Sequence, residues 1–352
     1  MFKKGKYLHL FIMFLVFFVV YTLSAFNAEN QAVEKNVLST KIVLVDVIGR
    51  EVVLDKPATK VVGTHNPTLN AAVVLGGGKK YIAGFGNKEM SRNLYEAVMD
   101  DYDGIVQIGK GGNINFEAVL ATGADLAIIP ERFKDQIEQF EEVGLNVIVA
   151  LPSKESFDTI RQSLTLLGQA LGATNRADMI IGFMNDHIEN AKNITSRVTE
   201  KKKVLFLGGS SPLSVAPAAM IQTQLIEVAG GENAVLGVDG MGDFIEVNIE
   251  QIIEWNPDII WFPAYASYTA EELINNPSWS SINAIKNKKV YAFPSMIEPW
   301  DQPTAALALG IAWATHILHP ELYTIEEIME DVNNYYNLVY GKTFTIEQLG
   351  LK

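Results

Sequence analysis

The chain has no cysteine among its 352 residues. That excludes disulfides, thiolate metal sites, a cysteine nucleophile and an acylated-cysteine anchor. Histidine is sparse, with five in all: His9, His65, His187, His316 and His319. A carrier of free zinc or manganese needs clustered His and carboxylate ligands, so no resident metal or cofactor is expected. His316 and His319 share a helix face near a proline, where packing is the expectation. Basic residues are also few, 28 against 41 acidic, for a net charge of −13. The first 28 residues hold three lysines and no acid, so the remainder carries −13 − 3 = −16. Nucleic-acid binding needs a basic surface to displace phosphate counterions and is not expected. Catalytic motifs are missing too. There is no G-x-S-x-G, and Leu75-Gly76-Gly77-Gly78-Lys79-Lys80 lacks both the spacing of a phosphate-binding loop and the hydroxyl after its lysine. The chain reads as a binding protein rather than an enzyme; a hydrolase or lyase is the minor alternative, because fold does not fix function.

The composition, 48% hydrophobic and 20% charged, is that of a globular protein, and the length allows two domains, each with its own core. Lys3, Lys4 and Lys6 precede an uncharged apolar stretch from Tyr7 to Ala28, the pattern of an export segment. The working protein is therefore expected outside the cytoplasm. Ala25 and Ala28 are possible cleavage points, but neither has the usual small residue upstream, and a stretch of about 22 residues can also span a bilayer as an anchor. The expected organisation is a signal or anchor over 1–28, a tether over 29–40, an N-terminal lobe over 41–152, a helical linker over 153–200 and a C-terminal lobe over 201–352.

One phrase occurs twice. Asn115-Phe116-Glu117 runs on to Asp125-Leu126-Ala127-Ile128-Ile129, and Asn248-Ile249-Glu250 runs on to Asp258-Ile259-Ile260-Trp261. In each, the Asn is placed to cap a short helix, the acid sits in its first turn, and the apolar run after the Asp reads as a buried parallel strand. The spacing implies two lobes on one plan. Between them, Ser153 is a candidate cap for one helix, and a second helix from Asn175 to Val198 carries an apolar stripe of Ala177, Ile181, Met184, Ile188 and Ala191. At 1.5 Å per residue the latter would span ~33 Å and could strut both lobes. A charged helix is expected near Arg132 to Val143, and a helix from Thr68 to Leu75. The fold class is α/β: two lobes, each a mainly parallel sheet flanked by helices, joined by one long backbone helix.

In this order the chain resembles the helical-backbone class of substrate-binding proteins for ABC importers, which carries iron-siderophores, haem and cobalamin. The resemblance covers nearly everything after Lys41. It rests on Asp46-Val47-Ile48-Gly49-Arg50-Glu51-Val52, Leu75-Gly76, Ile108-Gly109 before Asn115-Phe116-Glu117, and Gly144-Leu145-Asn146-Val147. It continues through Val228-Ala229-Gly230-Gly231-Glu232-Asn233, Asn256-Pro257-Asp258-Ile259-Ile260, Ala284 to Tyr291, and Leu318-His319-Pro320-Glu321. Many members from single-membrane bacteria carry a lipidated Cys after the signal; this chain departs from them there. The resemblance implies a monomer that captures a small-molecule metal complex and hands it to a permease with its ATPase. It also implies that Glu117 and Glu250 dock on basic residues of that permease, although each acid would in any case favour its own helix N-terminus by ~0.3–1 kcal/mol.

Ligand contacts are expected from loops at the strand ends that face the cleft. On the first lobe these are His65, Asn66, Arg132 and the run from Lys110 to Asn113, whose glycines would admit an anion to backbone N–H groups. On the second they are Ser210, Ser211, Tyr265, Tyr268 and Glu298-Pro299-Trp300-Asp301, with Trp300 offering an aromatic plane to a flat ligand. An iron chelate is the first expectation for the cargo. Corrinoid, haem or an oxyanion such as molybdate on the same scaffold are the alternatives, and a ligand-presenting sensor is a further class.

Overall fold

The computed structural model describes residues 41–89, 92–240 and 242–351. The export segment and tether expected over 1–40 lie outside the described residues. No helix among those described is long and apolar enough to cross a membrane.

Ile42–Val45 and Glu51–Leu54 pair as a small hairpin. The first sheet is built from β1 (Val61–Gly63), β2 (Ile82–Phe85), β3 (Val106–Gln107), β4 (Leu126–Pro130) and β5 (Asn146–Leu151). Its spatial order is β3-β2-β1-β4-β5 and all neighbours run parallel. The second sheet comprises β6 (Lys203–Phe206), β7 (Glu232–Asn233), β8 (Ile259–Pro263) and β9 (Val290–Phe293), ordered β7-β6-β8-β9 and again parallel. Both central strands that follow the repeated phrase, β4 and β8, are buried along their whole length. Strands covered by helices on both faces have no solvent side, which is why these segments are continuously apolar.

The helices that matter for the site are α1 (Asn66–Gly76), α2 (Arg92–Val98), α3 (Phe116–Thr122), α4 (Phe157–Ala170), α5 (Thr174–Thr195), α6 (Ile221–Val228), α7 (Ile249–Trp255), α8 (Leu307–Leu318) and α9 (Ile325–Tyr340). The two repeats do as their residues require. Asn115 accepts from the Ala118 N–H at 3.0 Å and Asn248 from the Gln251 N–H at 2.8 Å, capping α3 and α7. The Asp that closes each phrase fastens the neighbouring strand. Asp125 accepts from the N–H groups of Thr59 and Lys60, both at 2.9 Å, just before β1, and Asp258 accepts from the Lys203 N–H at 3.1 Å, at the start of β6.

The long connection is α5, 22 residues that pack on α4 and α8. Its buried stripe is Ala177, Ile180, Met184, Ile188 and Ala191, so Ile180 takes the inward place expected of Ile181. Arg176 near its start ties two helix ends together: Nε donates to the Val74 carbonyl at 2.9 Å at the end of α1, and Nη2 donates to the Val339 carbonyl at the end of α9. A cation there satisfies carbonyls that have no partner within their helices. Three boundaries differ from expectation. Ser156, not Ser153, caps α4, because its hydroxyl reaches the Thr159 N–H at 3.1 Å in a reciprocal box. The charged stretch after β4 begins as a 3₁₀ turn, Glu131–Gln136, and becomes α-helical only at Ile137–Glu142. Helix α1 starts two residues early, since Pro67 in its first turn needs no hydrogen bond.

Candidate functional site

The ends of β1, β4 and β8, with the loops that follow them, converge on a cavity of about 340 Å³. From the first lobe, β1 leads through Thr64 and His65 into α1. The Thr68 hydroxyl donates to the His65 carbonyl at 3.0 Å and its oxygen lies 3.3 Å from His65 Nδ1. The arrangement that satisfies both contacts puts the imidazole proton on Nδ1 and leaves Nε2 as an acceptor. Burial, and then the Arg132 charge, hold the His65 pKa well below its ordinary value, so the ring is neutral.

β4 delivers Arg132 and Phe133. The guanidinium lies 5.4 Å from the Phe133 ring centroid, and Nη1 donates to Asp243 Oδ1 of the other lobe at 3.1 Å. Phe133 in turn meets His65 edge-on at 6.4 Å. Lys110 and Gly111 sit at the tip of a tight hairpin in which Gly109–Lys110 pairs with Asn113–Ile114. Gly111 has φ +57° there, the left-handed conformation a two-residue turn requires. Lys110 has no ion-pair partner among the described residues.

The second lobe and the start of the linker contribute Glu155, Gln222, Phe244, Tyr265 and Gln302. Glu155 accepts from the Ile221 N–H at 3.4 Å, at the head of α6, yet burial outweighs this and raises its pKa to about 7. Asp301 lies buried beside Tyr265 and burial likewise raises it to about 7. Neither Asp301 carboxylate oxygen has a hydrogen-bond partner of ordinary geometry; the nearby Tyr265 hydroxyl compensates only in part. Tyr265 keeps 44% of its surface exposed, but burial of the hydroxyl end and the Asp301 charge push its pKa up, so it remains a donor. Thr64 Oγ1 and Gln222 Oε1 also line or border this space buried and unpartnered.

Of the expected ligand residues, His65, Asn66, Lys110, Arg132 and Tyr265 line this cavity together. Asn66 and Gln302 are bonded across it, Nδ2 to Oε1 at 3.2 Å. Asp301 stands behind the wall rather than in it. Five others go elsewhere. Trp300 is fully buried and its indole N–H donates to the Tyr336 hydroxyl at 3.1 Å, so the aromatic plane expected in the cleft belongs to the core. Tyr268 donates to the Gly208 carbonyl at 2.6 Å and packs on Phe262, bracing a loop. Ser210 is exposed, with its carbonyl accepting from Ser267 at 3.3 Å, and its neighbour Ser211 donates to Glu246 at 3.3 Å. Asn113 is exposed on the hairpin strand opposite Lys110. Lining residues not foreseen include Phe133, Glu155, Gln222, Asp243 and Gln302. Phe133 and Gln302 each adjoin a foreseen residue, whereas nothing local distinguishes Glu155 or Asp243 from other surface acids. Glu117 and Glu250 are exposed in the first turns of α3 and α7.

The chain is 24% identical over 345 residues to the molybdate-binding protein MolA of Haemophilus influenzae, a match that spans 91% of this chain and 94% of that protein. It is 23% identical over 268 residues to the Fe(3+)-citrate-binding protein YfmC of Bacillus subtilis, spanning 75% and 82%. The solved structure of MolA bound to molybdate superposes with a TM-score of 0.76 at 20% identity, covering 86% of this chain and 99% of that one, a likeness of fold. Two parallel sheets bridged by one long helix, with a polar cavity at their facing strand ends, agree with the family model for periplasmic binding proteins that matches residues 68–296, and this chain belongs to that family.

Proposed function

We propose that this protein, as the extracytoplasmic substrate-binding component of an ABC transporter, captures an anionic iron chelate of siderophore type and presents it to the permease and its ATPase. The observation that carries this reading is the set of donors on one cavity. Arg132 and Lys110, which has no ion-pair partner among the described residues, supply positive charge, Tyr265 supplies a hydroxyl, and neutral His65 carries an acceptor nitrogen of the kind that ligates iron. Burial raises the pKa of Glu155 and of Asp301 to about 7, so they offset the cations less than ordinary carboxylates would. A ferric-citrate-binding relative supports the same chemistry. The volume, about 340 Å³, lies at the lower end of the ~300–1,000 Å³ usual for small-molecule sites, which suits a compact anionic centre better than haem or a corrinoid.

A second reading, a tetrahedral oxyanion such as molybdate, is favoured by the relative that matches over nine-tenths of both chains. Isothermal titration of the purified protein with ferric citrate, a ferric hydroxamate, haemin, cobalamin and molybdate separates the two. Saturable binding of a ferric chelate with molybdate inert supports the first reading; tight molybdate binding with the chelates inert overturns it in favour of the second. In this reading the exposed Glu117 and Glu250, at matching places on the two lobes, are the docking points for basic residues of the permease.

A further inference from the structure

A second chamber, of about 380 Å³, adjoins the first. Among the described residues, Tyr265 is the one lining residue the two have in common. Its walls are Ala264, Met296, Ile297 and Pro299 on one side and Glu89, Arg92 and Asn93 at the head of α2 on the other. The two chambers differ in charge. In the first, Lys110 has no ion-pair partner among the described residues. In the second, Arg92 is already engaged by Glu89 at 3.2 Å, Glu96 at 2.5 Å and Asp103 at 3.5 Å, so its charge is spent on its own neighbours. The chamber therefore offers an anion no unpaired positive charge among the described residues.

What it does offer is apolar surface and hydrogen-bond acceptors. Met296 is 59% exposed and Ala264 is exposed, which leaves apolar wall open to a guest. Glu298 lines the same space but is 2% exposed, and its carboxylate is engaged in the core, where Oε2 accepts from Asn70 Nδ2 at 3.2 Å and the Tyr336 hydroxyl lies beside it. Asn93 donates through Nδ2 to the Met296 carbonyl at 2.6 Å, which turns its amide oxygen free to accept. An exposed amide oxygen whose own N–H is already engaged is left to accept from a ligand N–H or O–H.

We propose that this second chamber is a binding subsite for an uncharged, donor-bearing arm of the ligand, and that Tyr265 stands between the arm and the anionic centre held by Arg132 and Lys110. The cargo is then an extended chelate, charged at one end and amide- or hydroxyl-bearing at the other, and a bare oxyanion would fill only half of the site. This inference rests on the reading of the first cavity as the seat of the anionic centre.

The test uses two iron complexes with a common core. Ferric citrate reports on the first chamber alone. The ferric complex of a citrate in which one terminal carboxyl is condensed with a hydroxyl-bearing amine, so that an amide arm extends from the same hydroxy-carboxylate iron centre, reports on both. Ala264→Trp and, independently, Met296→Trp place bulk in the second chamber at exposed positions, and a thermal melt of each variant reports folding separately. By titration calorimetry on the full chain, each variant is expected to weaken the armed complex at least tenfold while ferric citrate stays within twofold of the unsubstituted protein. Equal losses for both complexes, or no loss for either, would overturn the second subsite and leave the first standing. So would an unsubstituted protein that binds ferric citrate or molybdate but not the armed complex. Binding of none of the three would overturn the reading of the first cavity, and this inference with it.

Discussion

Arg132 and Asp243 meet across the cleft, Nη1 to Oδ1 at 3.1 Å, one from the strand end of the first sheet and the other from a loop of the second lobe. Their side chains are 38% and 74% exposed, so the pair contributes little to stability, about 0–1 kcal/mol. Its importance is competitive, because an incoming anion must share or displace Asp243. Asp243→Ala is therefore expected to raise affinity for ferric citrate roughly three- to tenfold with the melting temperature unchanged, and Arg132→Ala to lower it at least tenfold. Calorimetry with a parallel thermal melt decides; a weaker-binding Asp243→Ala would mean that Asp243 contacts the ligand itself.

Anion affinity is expected to fall between about pH 6 and pH 8. Glu155 and Asp301 have values raised to about 7 by burial, so they are mostly protonated at the lower pH and mostly charged at the higher. Each proton lost adds negative charge near Arg132. Glu155→Gln should flatten part of that decline, and an undiminished slope in the variant would remove Glu155 from the account. The same linkage lowers stability as pH climbs from the ordinary carboxylate range through 7, because the folded state holds these protons more tightly than the unfolded one.

His187 on α5 gives the opposite kind of test, of stability alone. Its Nε2 lies 2.9 Å from Asp331 Oδ1 on α9, and Nδ1 lies 2.8 Å from the Phe183 carbonyl. Burial works against the charged ring, but the hydrogen bond and charge of Asp331 outweigh it and the pKa is raised. The stabilisation is fully present below the ordinary histidine value and is lost as pH rises through the folded one. His187→Gln should therefore lower the melting temperature more at pH 5.5 than at pH 8.5. Equal losses at both would mean that the ring acts by packing on Phe183, with which it stacks at 3.9 Å.

Glu117→Arg with Glu250→Arg is expected to leave ligand affinity within twofold and abolish transport in cells. Normal uptake by the double variant would refute docking through these acids and leave them as N-terminal helix charges.

Trp300→Ala is expected to act through the core. A fully buried tryptophan bonded to Tyr336 leaves a large cavity and loses that hydrogen bond when truncated, a loss of about 3–5 kcal/mol. Denaturant unfolding measures this directly. A stable variant with impaired binding would return Trp300 to the site.

The repeated Asn-x-Glu phrase exposed the architecture because capping, first-turn charge and a continuous apolar strand are all local requirements, met by residues within a few positions of one another. The same holds for α5, whose stripe of small and aliphatic residues was readable to within one position, Ile180 in place of Ile181. Loop positions His65, Lys110 and Arg132 were legible as well, because in parallel sheets the strand ends and the loops after them face the cleft.

Side-chain direction beyond those ends was decided by packing. Trp300, Asp301 and Gln302 are consecutive, yet one fills the core beside Tyr336, one hides behind Tyr265 and one lines the cavity. No pattern along the chain separates them, since which neighbour each meets depends on segments up to 236 residues away, as with Asn66 and Gln302. The amino-acid sequence by itself thus determined the two-lobed α/β scaffold, the strut between its halves and the rim of the cleft, because those follow from short-range hydrogen bonding and hydrophobic periodicity. Only the tertiary structure decided the charge balance within the cleft, its division at Tyr265 and the pairing of Arg132 with Asp243, because electrostatics and burial depend on distances through space.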